Sequence, residues 1–201
     1  MHLASSLLDR SATLEAVSAH LDSLDHAGRM EAVTACGLDS LVPLWELAKS
    51  APPIDDKHFV LDRGPCEPVA HDGWNSLPLP ASARRFQKIF ARPKDGSNRI
   101  FGYNEGDSRW LIGPGYFQLV PTHGDATWVE RGAWVVDYYK VPDGDVPDGW
   151  PKVVSNWWGL QMFVYNGTRD FMRKVSHHVS IGKPWARGME LPFCFVLVRR
   201  D

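Results

Sequence analysis

From residue 84 to the end of this 201-residue chain, short runs rich in aromatic and β-branched residues follow one another with little but turn chemistry between them. The runs are 84–92, 99–104, 109–112, 115–120, 132–141, 160–166, 177–182 and 193–200. Such residues suit a half-buried pleated surface. Parallel neighbours need a crossover of about a dozen residues or more, usually a helix. Spacing this tight therefore predicts antiparallel pairing, in a sheet large enough to curl into a barrel or half-barrel that hides its edges. The segment "PKDGSN" (93–98) reads as a hairpin turn, and "HGDA" and "PDGDVPDG" as later connections. One late helix is predicted among the strands: Thr168 would cap 169–175, with Asp170 in its first turn.

The first fifty residues have a different period. Leu14, Val17, Leu21 and Leu24 fall on one helical face, with Ser11 as the cap. Residues 25–37 repeat the pattern, opened by Asp25 and stopped at Gly37, and a third helix over 38–50 opens at Asp39 and carries Leu41, Leu44, Trp45 and Leu47. A DNA-reading helix needs cations and polar groups, yet residues 40–49 offer only Lys49. The apolar faces are predicted to bury against the sheet or a second copy of the chain. Between lobe and strands, 51–83 is rich in prolines, each of which removes a donor and restricts its predecessor. Neither helix nor central strand is predicted there, only an ordered connector pinned by Phe59 and Trp74. The expected organisation is an N-terminal helical lobe (1–50), a Pro-rich connector (51–83) and an antiparallel sheet or barrel (84–201) within one structural domain. The fold class is α+β, with short helices packed on a curved, mainly antiparallel sheet or small barrel.

Charge and cysteine usage narrow the function classes. Residues 1–80 hold 5 Lys/Arg against 12 Asp/Glu, and residues 81–201 hold 17 against 12, with the acids interspersed throughout. No dense basic stripe exists, so nucleic acid is not an expected partner. Cys36, Cys66 and Cys194 are far apart and odd in number, without zinc-type spacing, which predicts free thiols in a reducing compartment. With neither a signal-peptide pattern nor a run of about 18 apolar residues, a cytoplasmic protein without a membrane span is expected. P-loop, Rossmann, Gly-x-Ser-x-Gly and His-Glu-x-x-His fingerprints are absent, no metal site is expected and no cofactor is implied.

Two stretches carry candidate chemistry. In "HHVSIG" (177–182) strand alternation sends His177 and His178 to opposite faces, His177 with Val179 and Ile181, His178 with Ser176 and Ser180. They cannot form a two-ligand metal set. Ordinary hydrogen-bonded histidines at a junction are one reading, and His178 lining a polar pocket is the other. In 134–141 alternation groups Trp134, Val136 and Tyr138 on one face and Asp137 on the other. Asp137 is there either an outward residue paired with a neighbouring Arg or a buried carboxylate suited to acid–base work. "GPGYF" (113–117) reads as a kink where a barrel turns a corner. Together these give three functional expectations. The first is a small-molecule-binding protein whose aromatic pocket takes a hydrophobic or amphipathic ligand, anionic heads included, through Tyr116, Trp134, Tyr138, Tyr165, Arg173 and His178. The second is an enzyme on the same scaffold, of cyclase, isomerase or hydrolase type, using His178 and Asp137 as an acid–base pair. The third is an interaction subunit docking, or pairing with itself as a homo-oligomer, through the acidic N-terminal helices.

Overall fold

The computed structural model describes residues 2–107 and 109–201. Helical periodicity in the first fifty residues becomes α1 (Leu3–Leu8), α2 (Leu14–Asp22), α3 (His26–Thr34) and α4 (Leu38–Leu47), the last running into a 3₁₀ turn at Ala48–Ser50. Thr13 rather than Ser11 caps α2, accepting from Ala16 N, and Asp25 caps α3 by accepting from Gly28 N. Gly37 is the residue before α4, which leaves Asp39 in the first turn, where its charge favours the helix N-terminus.

The rest of the chain alternates strands with single helical turns: α5 (Lys57–Val60), β1 (Val69–Asn75), α6 (Ala81–Arg84), β2 (Arg85–Ala91), β3 (Ile100–Glu105), α7 (Arg109–Ile112), β4 (Phe117–Pro121), α8 (Ala126–Arg131), β5 (Trp134–Asp137), α9 (Gln161–Val164), β6 (Thr168–Lys174), β7 (Val179–Ala186), β8 (Met189–Glu190) and β9 (Phe195–Arg199). Every strand pairing is antiparallel, and each of β1 to β7 lies beside the next. β9 then pairs with both β7 and β1 and closes an eight-stranded barrel, while β8 is a short extension on β7. Closure satisfies the strands' backbone groups around the ring and removes the open edges.

Several segments differ from the sequence reading. The proline-bounded connector contains α5 and all of β1, a fully paired strand between β2 and β9. Its prolines flank the strand instead of interrupting it, so the ladder loses no donor. The helix expected over 169–175 is β6, because that segment is required on both sides to join β5 to β7. The strands expected over 109–112 and 160–166 are the single helical turns α7 and α9, and the run over 132–141 leaves the sheet at Asp137.

Strand alternation sorts the apolar residues into two bodies. Inward side chains, among them Phe90, Ile100, Phe117, Leu119, Trp134, Val136, Met172 and Leu197, fill the barrel together with Phe59 of α5, which closes one end. Trp74, Val135, Phe171, Ile181, Val196 and Val198 point outward and are covered by Leu7, Val17, Leu21, Leu41, Leu44 and Trp45 of the helical lobe. The lobe's apolar faces are thus buried against the sheet of their own chain. Arg173, on the outside of β6, fastens the two: it donates to the carbonyls of Trp45, Glu130 and Arg131, and its guanidinium stacks 3.7 Å over the Trp45 ring.

One packing device recurs three times inside the barrel. Gly73 faces Phe86 across β1–β2, Gly102 faces Phe117 across β3–β4, and Gly182 faces Phe195 across β7–β9. A Cβ on these glycines would lie 2.4 Å, 2.4 Å and 2.1 Å from the respective phenylalanine rings. Each ring therefore lies flat over its glycine, an arrangement that any larger residue would block.

Candidate functional site

The interior changes character along the barrel axis. Beside α5 it is filled, by apolar side chains together with the buried His58, His71 and Arg199; toward the other end a second polar group opens onto space. Lys88 on β2, Asn104 on β3, Tyr138 just beyond β5 and Asp170 on β6 meet there. Lys88 Nζ donates to Asn104 Oδ1 at 2.8 Å and to the Tyr138 hydroxyl, and lies 3.5 Å from Asp170 Oδ2. Asn104 Nδ2 donates in turn to the Gly115 carbonyl at 2.9 Å. Lys88 is only 2% exposed and Asp170 6%, so this is a buried ion pair.

The three flat phenylalanines form walls around the ammonium. The centroids of Phe117, Phe195 and Phe86 lie 5.0, 5.2 and 5.7 Å from Lys88 Nζ, and that of Tyr138 at 5.0 Å. Desolvated cation–π contacts of this kind contribute up to about 2 kcal/mol. Burial nevertheless dominates, pulling the Lys88 amine down to about 8 against the opposing pull of Asp170. Burial also raises the Asp170 carboxyl, against the favourable charge of Lys88 and a hydrogen bond from Tyr138. The Tyr138 phenol is held well above its ordinary value, chiefly by burial and then by the Asp170 charge. Burial thus disfavours the charged forms of both the lysine and the aspartate.

A cavity of ≈ 500 Å³ stands on this cluster, framed by the connections 76–84, 106–116, 138–167 and 187–194 at the end of the barrel opposite α5. Its walls include Phe86, Phe195, Ile112, Val164 and Tyr165. The Tyr165 ring stacks on Tyr138 at 5.2 Å, and burial raises its phenol to about 12. Gly113 and Gly115, both at positive φ, let the 106–116 connection press against Gln161 and Tyr165, where a Cβ at Gly115 would lie 2.4 Å from the Tyr165 ring. Exposed aromatic residues lie on the 106–116 and 138–167 connections: Trp110, Trp157, Trp158 and Phe163 are 83%, 62%, 75% and 79% exposed.

The residues singled out from sequence are distributed over different parts of the molecule. Tyr138 and Tyr165 line the cavity. Tyr116 is fully buried behind the barrel wall, with its hydroxyl donating to the Pro151 carbonyl beneath Trp150. Trp134 belongs to the closed end, where its indole donates to the Ile54 carbonyl at 2.9 Å and packs on Phe59. Arg173 is committed to the lobe contact described above. His177 and His178 sit in the turn between β6 and β7, not within the strand, and His178 pairs with Asp201 at 2.9 Å and Asp22 at 3.4 Å. Burial lowers the His178 imidazole, opposed by the Asp201 charge. Asp137 faces the outside of the barrel, 3.2 Å from Arg169. His178 and Asp137 are therefore not brought together, and neither lines the cavity.

Lys88, Asn104 and Asp170 were absent from the expected set. A signal for Lys88 exists in "RFQKIFA", where alternation puts it on one face with Phe86 and Phe90. Asp170 had none once its segment was read as a helix. Among the described residues no group of His, Cys, Asp or Glu is arranged to hold a metal ion, and no helix is long and apolar enough to cross a membrane. A second cavity of ≈ 490 Å³ lies between α1 and α4, but only Arg10 and Glu46 bring charge to its lining and no buried polar cluster underlies it. Comparison with protein-family models, with curated proteins and with solved structures finds no match to this chain.

Proposed function

We propose that the barrel binds a small amphipathic molecule whose polar head is uncharged. The observation that carries this reading is the buried Lys88–Asp170 pair at the floor of a mainly apolar cavity open at one end of the barrel. Concave, mainly apolar sites with a few convergent polar groups are the usual form of a small-molecule site. Lys88 and Asp170 cancel each other's charge. Arg85, Glu105 and Arg109 also line the cavity, Arg109 paired with Glu105, but a charged head seated on the floor beside the Lys88–Asp170 pair would lose its hydration without a free counter-ion there, whereas a hydroxyl, carbonyl or amide would exchange hydrogen bonds with Lys88, Tyr138 and Asn104. The anionic head considered from the sequence rested on Arg173 and His178, which are engaged elsewhere. The apolar body would lie along Phe86, Phe195, Ile112 and Val164, with Trp157, Trp158 and Phe163 as the entrance. A reducing, cytoplasmic setting suits this reading, since Cys36, Cys66 and Cys194 are free thiols and burial raises Cys36 to about 12.

Calorimetric titration with 1-decanol, decanoate and decylamine tests the proposal. Decanol is expected to bind, and the charged analogues to bind about tenfold more weakly or worse, a difference of about 1.4 kcal/mol. Equal affinity for all three, or preference for a charged head, would overturn the neutral-head assignment.

A further inference from the structure

We propose that Lys88 captures an aldehyde or ketone ligand as a reversible imine, an inference that rests on the binding reading above and names the ligand class. The cluster supplies each group that the chemistry requires. Lys88 Nζ borders the cavity, Asp170 Oδ2 is 3.5 Å away, and the Tyr138 hydroxyl is hydrogen-bonded to Nζ. A lysine desolvated in an apolar pocket is a recognised way of making an amine nucleophilic near neutral pH. The depressed Lys88 and raised Asp170 values described above act in the same direction.

The steps balance without an outside reagent. The Lys88 ammonium gives one proton to Asp170, leaving a neutral amine. Its lone pair attacks the carbonyl carbon, a C–N bond forms, and the carbonyl π pair moves to oxygen. That oxygen takes a second proton from nitrogen, relayed through the Tyr138 hydroxyl, to give a carbinolamine. Asp170 then returns its proton to the new hydroxyl, the C–O bond breaks, water leaves, and the nitrogen lone pair closes the C=N bond. The product is a protonated imine with one N–H, paired with the Asp170 carboxylate. One ammonium and one carbonyl have become one iminium and one water, with no change in oxidation state or net charge.

The surroundings favour that product. Phe86, Phe117 and Phe195, held flat by Gly73, Gly102 and Gly182, offer π faces to an iminium as they do to the ammonium. A solely structural ion pair is the competing account, and it predicts an unreactive lysine. Lys183 provides an internal control. It is also largely buried, but it lies on the outward face of β7, pairs with Glu190 and does not line the cavity.

The experiment treats the full chain with decanal and sodium cyanoborohydride, then maps alkylated peptides by mass spectrometry across pH. Lys88 is expected to be modified about tenfold or more faster than Lys57, Lys94 or Lys183 at neutral pH, because burial brings its amine down to about 8 while Asp62 and Asp145 raise those of Lys57 and Lys94, and Lys183 does not border the cavity. Its rate should level off above about pH 8 while those of the exposed lysines continue to rise, and excess decanol should suppress it. Lys88→Arg, which keeps the cation but has no primary amine, should lose this adduct. If decanol binds but decanal marks only other lysines, the imine is overturned and the binding reading stands. If neither decanol nor decanal occupies the cavity, both fall.

Discussion

Separating the partners of the buried ion pair should reveal it through opposite pH slopes. Lys88→Met leaves the Asp170 carboxyl buried among aromatic rings with no cation, and the cheapest response is protonation. Unfolded aspartate titrates near 3.9, so holding it neutral at pH 7 costs about 1.36 kcal/mol for each of roughly 3 pH units, or about 4 kcal/mol. That figure agrees with the roughly 3–5 kcal/mol usual for removing one partner of a buried pair. The sign follows from proton counting: the folded variant holds a proton that the unfolded chain has released. Its deficit should therefore shrink as pH falls toward about 4 and grow as pH rises. Asp170→Asn produces the reverse. Lys88 must then be buried neutral while the unfolded chain keeps it charged up to about 10.4, at a cost of up to about 4–5 kcal/mol at pH 7 that is relieved as pH rises. Lys88 already tends this way in the wild type: with its folded value near 8, its burden on stability eases between about pH 8 and 10.

The double variant Lys88→Met/Asp170→Asn should recover most of either loss, since replacing a buried pair by uncharged groups is often neutral or stabilising by about 1–4 kcal/mol. Urea denaturation of the four proteins from pH 5 to 9 measures all of this. Two flat profiles, two slopes of the same sign, or single-variant losses below about 0.5 kcal/mol would mean that the pair is not desolvated, and the account of the cavity floor would be wrong.

Three further outcomes follow from the packing. Gly182→Ala drives a Cβ to 2.1 Å from the Phe195 ring and should cost about 1–3 kcal/mol in thermal denaturation, with weakened decanol binding because that ring forms part of the Lys88 cage. Removing residues 1–50 uncovers Trp74, Val135, Phe171, Ile181 and Val198, each worth about 1.5–3 kcal/mol when buried, so the truncated barrel should aggregate or fail to fold in expression and light-scattering assays. His178→Gln should cost no more than about 1 kcal/mol through its contacts with Asp22 and Asp201 and leave decanol affinity within about twofold, since the turn lies away from the cavity.

The helical lobe was legible because burial and periodicity coincide there: Leu14, Val17, Leu21, Leu41 and Leu44 form one apolar side and are all buried. Antiparallel pairing was legible from spacing alone, whereas closure, one of two options from the sequence, is decided by the pairing of β9 with both β1 and β7. The errors arose where tertiary pairing overrides local preference. "VAHDGWN" has one β-branched residue, a glycine and two strand-poor polar residues, yet β1 is a central strand, because Gly73 admits the Phe86 ring and His71 is needed against Phe59 and Phe90 at the closed end. "TRDFMRK" resembles a capped helix locally and becomes β6 because barrel closure demands a strand there. Conversely, "RWLI" and "LQMFV" have strand-like apolar composition and find no ladder; they remain helical turns that expose Trp110 and Phe163 on two of the connections framing the cavity.

The site was less legible than the fold, because it depends on register. Alternation can turn Lys88 inward beside Phe86 and Phe90, but nothing in a single strand says which residues of other strands will face its amine. Pairing Val136 with Asp170, and Lys88 with Asn104, brings a carboxylate and an amide to the same level of the barrel. The Gly–Phe pairs across β1–β2, β3–β4 and β7–β9 then set three rings around that level. A shift of one residue in any of these registers would reverse the faces of the whole strand and disperse the cluster. A buried lysine with a carboxylate partner and an aromatic cage costs stability wherever it occurs. Placing it at the open end, where the apolar filling gives way to a cavity, puts that cost at the one level of the barrel where an incoming molecule can use the amine.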